Sequence, residues 1–327
     1  MSVSLAPTSG VTAESLEELR RPLTGYCYRM LGSAECEDAV QEVFLRALRH
    51  ADRYDPARAS LSTWLHRIAT NVCLDMLRGA KRRALSVEMG PAGTGGDIGA
   101  PLPPVLFVEP MPDHRVLAQD PADVAEARES VHLAFLAALQ HLPPRQRAVL
   151  LLRDVLAFSA KESAHVVQIS VPAVNSALQR ARATLAQARA SMPGPGMSSE
   201  SYAPEDASQR ELLQRYVAAF EAHDIPALTA LLRQDAVSAM PPFAWWITGA
   251  EQIGAVMGAT DACAGDRLVP TAINGSPGFG QYRPDEDGVP QPFALLMLQV
   301  QDGQVAQMTT FLGSQGRFGE FGLPERL

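Results

Sequence analysis

Two clusters of polar and basic side chains have the types and spacing needed to bind nucleic acid. The first follows residues 61–83, where one polar helix face runs into a short basic segment. Arginine and lysine bind backbone phosphates, while asparagine and threonine can hydrogen-bond to base edges. The candidate residues of this first cluster are Arg67, Thr70, Asn71, Arg78, Lys81, Arg82 and Arg83. A solvated helix face explains each of them equally well when it is taken alone.

The second cluster lies on the outer face of a helix predicted to begin after Ser170. Ser170 can cap this helix, and a shorter helix before it begins at Ser159, which has capping-box spacing to Glu162. Two capped helices joined by a tight turn predict a helix-turn-helix, whose second helix enters the major groove, rather than an ordinary helical hairpin. The candidate residues are Ser170, Ala173, Asn175, Ser176, Gln179, Arg180 and Arg182.

Two amphipathic helices are predicted to position the first cluster. The first covers residues 38–50, and its buried stripe at helical spacing comprises Val40, Val43, Phe44, Ala47 and Leu48. The second has an unbroken apolar stripe from Leu61 to Leu77, and Gly79 fits a C-terminal stop. Trp64 lies in that stripe, which favours core packing over base stacking. Asp75 could pair with Arg78 inside the helix.

Composition predicts an intracellular, multidomain protein. The 327 residues contain no run of 18 apolar residues, and the N-terminus lacks the features of a signal peptide. The four cysteines form no C-x-x-C pair. We therefore expect a reduced, cytoplasmic protein without a membrane span, a zinc site or a cofactor.

The net charge of −8 is distributed unevenly along the chain. Residues 1–90 carry +1 and residues 142–204 carry +4, whereas residues 91–141 carry −5 and residues 205–327 carry −8. The positive balance coincides with the two candidate clusters. The acidic C-terminal part is not a nucleic-acid surface overall, and it could mask a basic one electrostatically.

Proline and glycine divide the chain into segments. We predict a Pro/Gly-rich acidic linker at 85–124, between a domain at 12–84 and a helix-turn-helix domain at 125–190, and a second linker at 191–204. Residues 205–327 predict an α+β domain, because helices come first and antiparallel strands follow. Its last two strands flank Asp302-Gly303, a hairpin signal.

The first two helices resemble region 2 of the extracytoplasmic-function (ECF) sigma factors. The matching motifs are Asp38-Ala-Val-Gln-Glu-Val-Phe44 and Trp64-Leu65, followed by Ile68-Ala69, Asn71, Asp75 and Arg78. The resemblance implies that the first helix binds the β′ coiled coil of core RNA polymerase. The polymerase-binding residues would be Asp38, Gln41, Glu42, Leu45 and Arg46. It also implies that the second helix recognises and melts the minus-10 element.

The helix-turn-helix resembles sigma region 4, which recognises the minus-35 element and contacts the β flap of polymerase. The similarity covers Leu142-Pro-Pro-Arg-Gln-Arg147, Phe158-Ser159 and Val174–Arg182. Gln168 departs from the family pattern, because it occupies a turn position that is often glycine. A left-handed backbone there costs a non-glycine residue roughly 1 kcal/mol. In the family, the linker between the two regions runs through the polymerase; a passive tether is the alternative.

The C-terminal domain has a helix-Asp224-helix opening, Asp235-Ala-Val, Met240-Pro-Pro, Gly249 and the Asp302-Gly303 hairpin. In this order these features resemble the SnoaL-like, nuclear transport factor 2-like cone fold. This fold follows regions 2 and 4 in some ECF sigma factors, and the resemblance implies that it tunes activity in cis. Candidate pocket residues are Met240, Trp245, Trp246, Tyr282, Met308 and Phe311. They fit a plain core or domain interface, then a ligand-sensing pocket, and last a catalytic site. No histidine follows His223, and we place no carboxylate inside a predicted strand, so we expect no enzyme.

These patterns together predict a multidomain sigma factor, with two all-α domains followed by an α+β cone. It would bind core RNA polymerase and promoter DNA, and its C-terminal domain would contact regions 2 and 4 and modulate them. The alternatives are a helix-turn-helix regulator with a ligand-sensing domain, which leaves the Asp38–Phe44 pattern unexplained, and a DNA-tethered SnoaL-like enzyme.

Overall fold

The N-terminal part of the computed structural model is a helical bundle. The structure describes residues 10–117, 130–191, 202–203 and 205–327. The bundle consists of α1 (Ala13–Glu18), α2 (Arg20–Leu31), α3 (Cys36–Arg49) and α4 (Leu61–Met76). Helix α4 begins at Ser60, whose hydroxyl accepts a hydrogen bond from Thr63 N. It ends three residues before Gly79, which adopts φ 77° in the following turn.

The described part of the predicted linker, residues 85–117, is not a passive tether, because it packs against the neighbouring domains. It forms a strap over its neighbours and contains the short helix α5 (Asp113–Val116). Phe107, Val108 and Met111 are all buried. Prolines and glycines prevent the strap from building a core of its own, yet its apolar side chains join the cores beside it. Residues 118–124 and most of the second predicted linker lie outside the described residues.

Four further helices and a π-turn form the second helical domain. They are α6 (Leu133–Gln140), α7 (Pro144–Leu150), α8 (Ala160–Val167) and α9 (Val171–Ser191), with the π-turn at Leu151–Val155. The capping box is confirmed, since Ser159 N donates to Glu162 Oε2 and Glu162 N donates to Ser159 Oγ. Gln168 adopts φ 59° and ψ 47°, so it occupies the left-handed turn position as expected.

The C-terminal domain combines helices with one six-stranded sheet. Helices α10 (Ala207–Glu221), α11 (Ile225–Ala230) and α12 (Ala250–Gly258) accompany β1 (Leu232–Ala239), β2 (Trp246–Thr248), β3 (Arg267–Ile273), β4 (Ser276–Pro284), β5 (Pro290–Gln301) and β6 (Gln304–Leu312). The strand order is β2-β1-β6-β5-β4-β3, with only the β1–β6 pair parallel. The α+β prediction is confirmed, although β2 and β4 were not predicted.

The two faces of this sheet pack against different parts of the molecule. Phe279 of β4 faces the helices, where its ring stacks 6.2 Å from Tyr216 of α10. Tyr282 faces the opposite side, where it meets Phe318 of the C-terminal segment edge-on at 5.2 Å. This second face belongs to one continuous apolar cluster with both helical domains. Among the described residues, no helix is both long and apolar enough to cross a membrane.

Candidate nucleic-acid and polymerase interfaces

The residues predicted to bind polymerase lie on the outer face of α3. Asp38, Gln41 and Leu45 are exposed, and Leu45 retains 48% of its surface. Glu42 and Arg46 are half-buried, and Arg46 Nε donates to Glu42 Oε1 at 2.6 Å. This face can therefore offer both charges and an apolar side chain to a partner.

Leu48 was predicted to lie in the buried stripe of α3, and this is wrong. It is 50% exposed, close to Leu45 on the helix surface. The other members of the stripe are buried or half-buried. Because Leu48 is the last apolar residue of the stripe and α3 ends at Arg49, the helix runs beyond the core there. The exposed leucines extend the apolar part of the candidate docking surface.

Part of the predicted minus-10 surface on α4 is accessible. Asn71 is exposed and Arg67 is half-buried. Arg78 pairs with Asp75 at 3.2 Å, as the spacing predicted, and Asp75 also lies 3.7 Å from Arg46 of α3. These charges connect the candidate polymerase surface to the candidate DNA surface. Trp64 is buried and packs 5.3 Å from Tyr54, which confirms the core interpretation.

Thr70 is placed differently from the prediction. It is fully buried, its hydroxyl lies 2.7 Å from Tyr26 Oη of α2, and it donates to the His66 carbonyl. Helix α4 contacts α2 on one side and α3 on another, so residues outside the main apolar stripe are also covered. Thr70 therefore cannot contact a base in this arrangement.

The basic segment after α4 is only partly free. Lys81 is exposed. Arg82 lies 2.8 Å from Glu88, and its Nη1 is 2.9 Å from Nε2 of His141. These two contacts join the strap and the second helical domain to the basic segment.

Arg83 was also predicted to contribute to the minus-10 surface, and the structure places it differently. It is 6% exposed and pairs with Glu35 at 2.6 Å and with Glu109 of the strap at 3.3 Å. A buried guanidinium needs such partners, and here the strap supplies one of them. Arg83 is therefore a structural link in this arrangement and is not available to phosphate.

The helix-turn-helix presents its predicted residues to solvent. Ser170 Oγ accepts a hydrogen bond from Ala173 N, so the predicted cap is confirmed. Arg180 donates to Ser176 Oγ at 2.6 Å, and Arg182 binds Asp154 through two hydrogen bonds. Six of the predicted residues are exposed and one is half-buried; they are Ser170, Ala173, Asn175, Gln179, Arg180, Arg182 and, half-buried, Ser176.

The two helical domains pack directly against each other. His66 of α4 contacts the ring of Phe158 at 5.1 Å, and Arg29 of α2 donates to Ser130 Oγ at 2.7 Å. Arg147 of α7 donates to the Met30 carbonyl. Burial lowers the pKa of Arg29 and of Arg147 to about 10 and that of His66 to about 4. His66 therefore remains neutral inside this interface near neutral pH.

The six candidate pocket residues do not line one cavity. Met240, Trp245 and Met308 pack with the helices on one sheet face, whereas Tyr282 and Phe311 belong to the cluster on the other. Trp246 packs with Val87 of the strap. The core or domain-interface interpretation therefore describes their packing better than a shared pocket.

A buried carboxylate in the C-terminal domain was missed by the sequence prediction. Asp266 directly precedes β3 and is 1% exposed. It accepts hydrogen bonds from Gln281 Nε2 at 2.6 Å and from Arg283 Nη2 at 2.8 Å. These contacts compensate its charge and make it an element of the domain's structure.

The turn at Asn274-Gly275 is the largest functional feature that sequence reasoning missed. Asn274 is fully buried with φ 54°. Its Nδ2 donates to Tyr28 Oη at 2.7 Å and to the Val131 carbonyl at 2.8 Å, and its Oδ1 accepts from Met111 N at 2.9 Å. One side chain of the C-terminal domain thus bonds α2, the strap and the start of the second helical domain. The Asn-Gly pair between two strands was a signal for this hairpin.

Comparison with known proteins agrees with this division of the chain. The family model described as sigma-70 region 2 matches residues 16–83, and the model described as sigma-70 region 4 matches residues 132–185. The crystal structure of the Mycobacterium tuberculosis ECF sigma factor SigJ has a TM-score of 0.59 at 21% identity. It covers 96% of this chain and 100% of its own, so the three-part architecture is shared.

Sequence relatives extend over nearly the whole chain. The ECF RNA polymerase sigma factor SigG of Mycobacterium tuberculosis is 42% identical over 319 residues, which cover 95% of this chain and 83% of SigG. SigJ of the same organism is 30% identical over 220 residues, covering 67% of this chain and 61% of SigJ. The protein is therefore a member of the ECF family of RNA polymerase sigma factors, with an α+β domain after regions 2 and 4.

Proposed function

We propose that this ECF sigma factor directs promoter-specific initiation through three surfaces and is restrained by its own C-terminal domain. The outer face of α3 binds the β′ coiled coil of core polymerase. The accessible part of α4 and the basic segment bind the minus-10 element. The outer face of α9 binds the minus-35 element, and region 4 also contacts the β flap.

The packing of region 2 against region 4 supports the proposed restraint. The minus-10 and minus-35 elements are separated by about 85 Å of B-form duplex. Helices α4 and α9 are only about 24 and 31 Å long, and α4 contacts region 4 directly. Regions 2 and 4 must therefore separate before one molecule can bind both elements.

Asn274 is the single observation that carries the proposal of restraint in cis. Its hydrogen bonds to Tyr28 and to the Val131 carbonyl stabilise the arrangement in which regions 2 and 4 are together. Separation of the two regions exchanges these bonds for bonds to water, which costs about 0.5–1.5 kcal/mol for each bond. The C-terminal domain therefore favours the closed arrangement.

In vitro transcription with core polymerase tests this function. The full-length protein should support initiation from a promoter that core polymerase alone does not use. Asn274→Ala should raise the yield several-fold at limiting protein concentration, because less free energy opposes separation. Leu45→Asp is the matched control at the polymerase surface, and it should abolish initiation without changing the closed arrangement. Full-length protein that neither binds core polymerase nor starts transcription contradicts the proposal, and equal yields for wild type and Asn274→Ala contradict the restraint.

A further inference from the structure

The two adjacent tryptophans of the C-terminal domain donate hydrogen bonds to the strap. Trp246 Nε1 donates to the Gly90 carbonyl and Trp245 Nε1 donates to the Gly95 carbonyl, both at 2.9 Å. The two indoles belong to different apolar clusters, Trp245 to the one under the helices and Trp246 to the one that contains Val87 of the strap.

Backbone groups of the C-terminal domain also contact the strap. Gly93 N donates to the Trp246 carbonyl at 2.7 Å, and Leu102 N donates to the Pro242 carbonyl at 2.8 Å. The strap therefore both donates and accepts main-chain hydrogen bonds along its length. This is the pattern by which protein domains bind extended peptides.

On the strap itself, backbone groups make these hydrogen bonds, and the side chain of Ile98 adds an apolar contact. Gln252 of α12 donates to the Thr94 carbonyl at 2.7 Å. Ile98 is half-buried and packs against the apolar cluster under α10–α12. The surface thus selects an extended, glycine-rich chain with one aliphatic side chain.

The space around Gly93 and Gly95 indicates which positions of a bound peptide can carry a large side chain. A Cβ atom at Gly93 would be in van der Waals contact with Trp245 Nε1 at 3.4 Å and with the Trp246 carbonyl at 3.5 Å, so a bulkier side chain there would have to displace the indole or the strap. A Cβ atom at Gly95 would meet nothing within 4 Å. A large side chain should therefore disturb the contact at position 93 and be tolerated two residues later.

We propose that the C-terminal domain carries a peptide-binding site formed by Trp245, Trp246, Gln252 and Pro242, and that residues 90–102 are its ligand in cis. The ligand class is an extended glycine-rich peptide recognised through its backbone. The strap is then an exchangeable ligand and not a fixed part of the domain. The site is independent of promoter recognition, so its tests can fail or succeed separately from the proposed function.

The first test compares Gly93→Leu with Gly95→Leu in the full-length protein. The chain has three tryptophans, so 5-fluorotryptophan labelling gives three fluorine NMR resonances, assigned by single Trp→Phe substitutions. Gly93→Leu should shift the resonances of Trp245 and Trp246 and leave that of Trp64 in place. Gly95→Leu should leave all three in place. Equal shifts for the two variants, or no shift for either, would overturn the proposal.

The second test supplies the ligand in trans. A synthetic peptide of residues 88–103 should bind the Gly93→Leu protein and return the Trp245 and Trp246 resonances toward their wild-type positions. The same peptide should bind wild-type protein at least tenfold more weakly, because the tethered strap competes at an effective concentration in the millimolar range. A peptide that itself carries leucine in place of Gly93 is the matched control and should not bind. Failure of the natural peptide to bind, or equal binding of both peptides, overturns the proposal.

Discussion

The two proposed DNA-binding surfaces of this sigma factor differ in how far the rest of the molecule restricts them. On the minus-35 side, the candidate residues of α9 lie at the surface, and the ion pair of Arg182 is made with Asp154 of its own region. On the minus-10 side, Thr70 and Arg83 are buried, and Arg82 contacts the strap through Glu88.

The origin of this difference is the position of each helix along the chain. Helix α4 leads directly into the strap, and the basic segment after α4 forms ion pairs with Glu88 and Glu109 of the strap. The candidate residues of α9 lie on its outer face and are not part of a segment that continues into the strap. The proposed restraint therefore acts mainly on the relative placement of regions 2 and 4. The charge distribution had indicated a different route, in which the acidic C-terminal domain covers the recognition helix.

The largest expected effect comes from Asn274→Ala, which would weaken the contacts that restrict the minus-10 side and so reduce the difference between the two surfaces. The variant leaves the Met111 amide and the Val131 carbonyl without their partner, at a cost of about 3 kcal/mol or more. Hydrogen exchange should accelerate in the strap and at the start of α6, and remain unchanged in α8 and α9. Uniform acceleration across both regions would contradict a local restraint.

Acidification should weaken the interface between the two regions to a similar extent. Burial lowers the pKa of His66 to about 4, below its ordinary value of 6.5, so the folded state disfavours its protonated form. The resulting stability is present above pH 6.5 and is lost as the pH falls toward 4, by about 3 kcal/mol in total.

Urea unfolding between pH 7.5 and 4.5 measures this loss. His66→Phe keeps an aromatic ring beside Phe158 and Tyr26 but cannot take up a proton. Its stability should therefore decrease less on acidification than that of the wild type. Parallel curves for the two proteins would show that His66 does not couple the interface to pH.

The same substitution at two exposed asparagines tests whether each surface recognises its own promoter element. Asn71→Ala should weaken discrimination at the minus-10 element, and Asn175→Ala at the minus-35 element, each by about 1–3 kcal/mol. Initiation assays on promoters mutated in one element at a time measure this effect. Thermal stability should not change in either variant, because both side chains are exposed. Loss of discrimination at the other element would reassign the residue.

The smallest effect distinguishes two arginines of the recognition helix. Arg180 bonds to the neutral Ser176, whereas Arg182 already pairs with Asp154. If Arg180 contacts a phosphate, Arg180→Ala should reduce the salt dependence of duplex binding by about 0.9 units of slope. Arg182→Ala should reduce it less, because its charge is partly compensated. Equal slopes for the two variants would contradict this ranking.

Local chemical rules allowed much of the helical structure to be predicted. The caps at Ser159 and Ser170 depend on hydrogen bonds within four residues, and both are present. Strand β4 was missed because its glycines and prolines are untypical of strands. They are needed there: a Cβ atom at Gly278 would lie 2.5 Å from Ile273, and one at Gly280 would lie 2.7 Å from Leu323.

The candidate sites were predictable only where a single helix face decides accessibility. Every predicted residue of α9 is exposed except Ser176, which is half-buried, because α9 has one covered side. The prediction that Thr70 is accessible to DNA was wrong because α4 is covered on several sides. The proposed pocket failed for a reason visible in the sequence, since Met308 and Phe311 are three residues apart on one strand and must face opposite sides of the sheet.

The position of Asn274 in the chain also determines when the restraint can form during synthesis. Regions 2 and 4 leave the ribosome first, and the partner carbonyl at Val131 precedes Asn274 by 143 residues. At 5–20 residues per second, translation of that interval takes roughly 7–30 s. A nascent chain therefore has both promoter-binding regions before it has the asparagine that joins them. Each new molecule passes once through an interval in which core polymerase could meet it unrestrained.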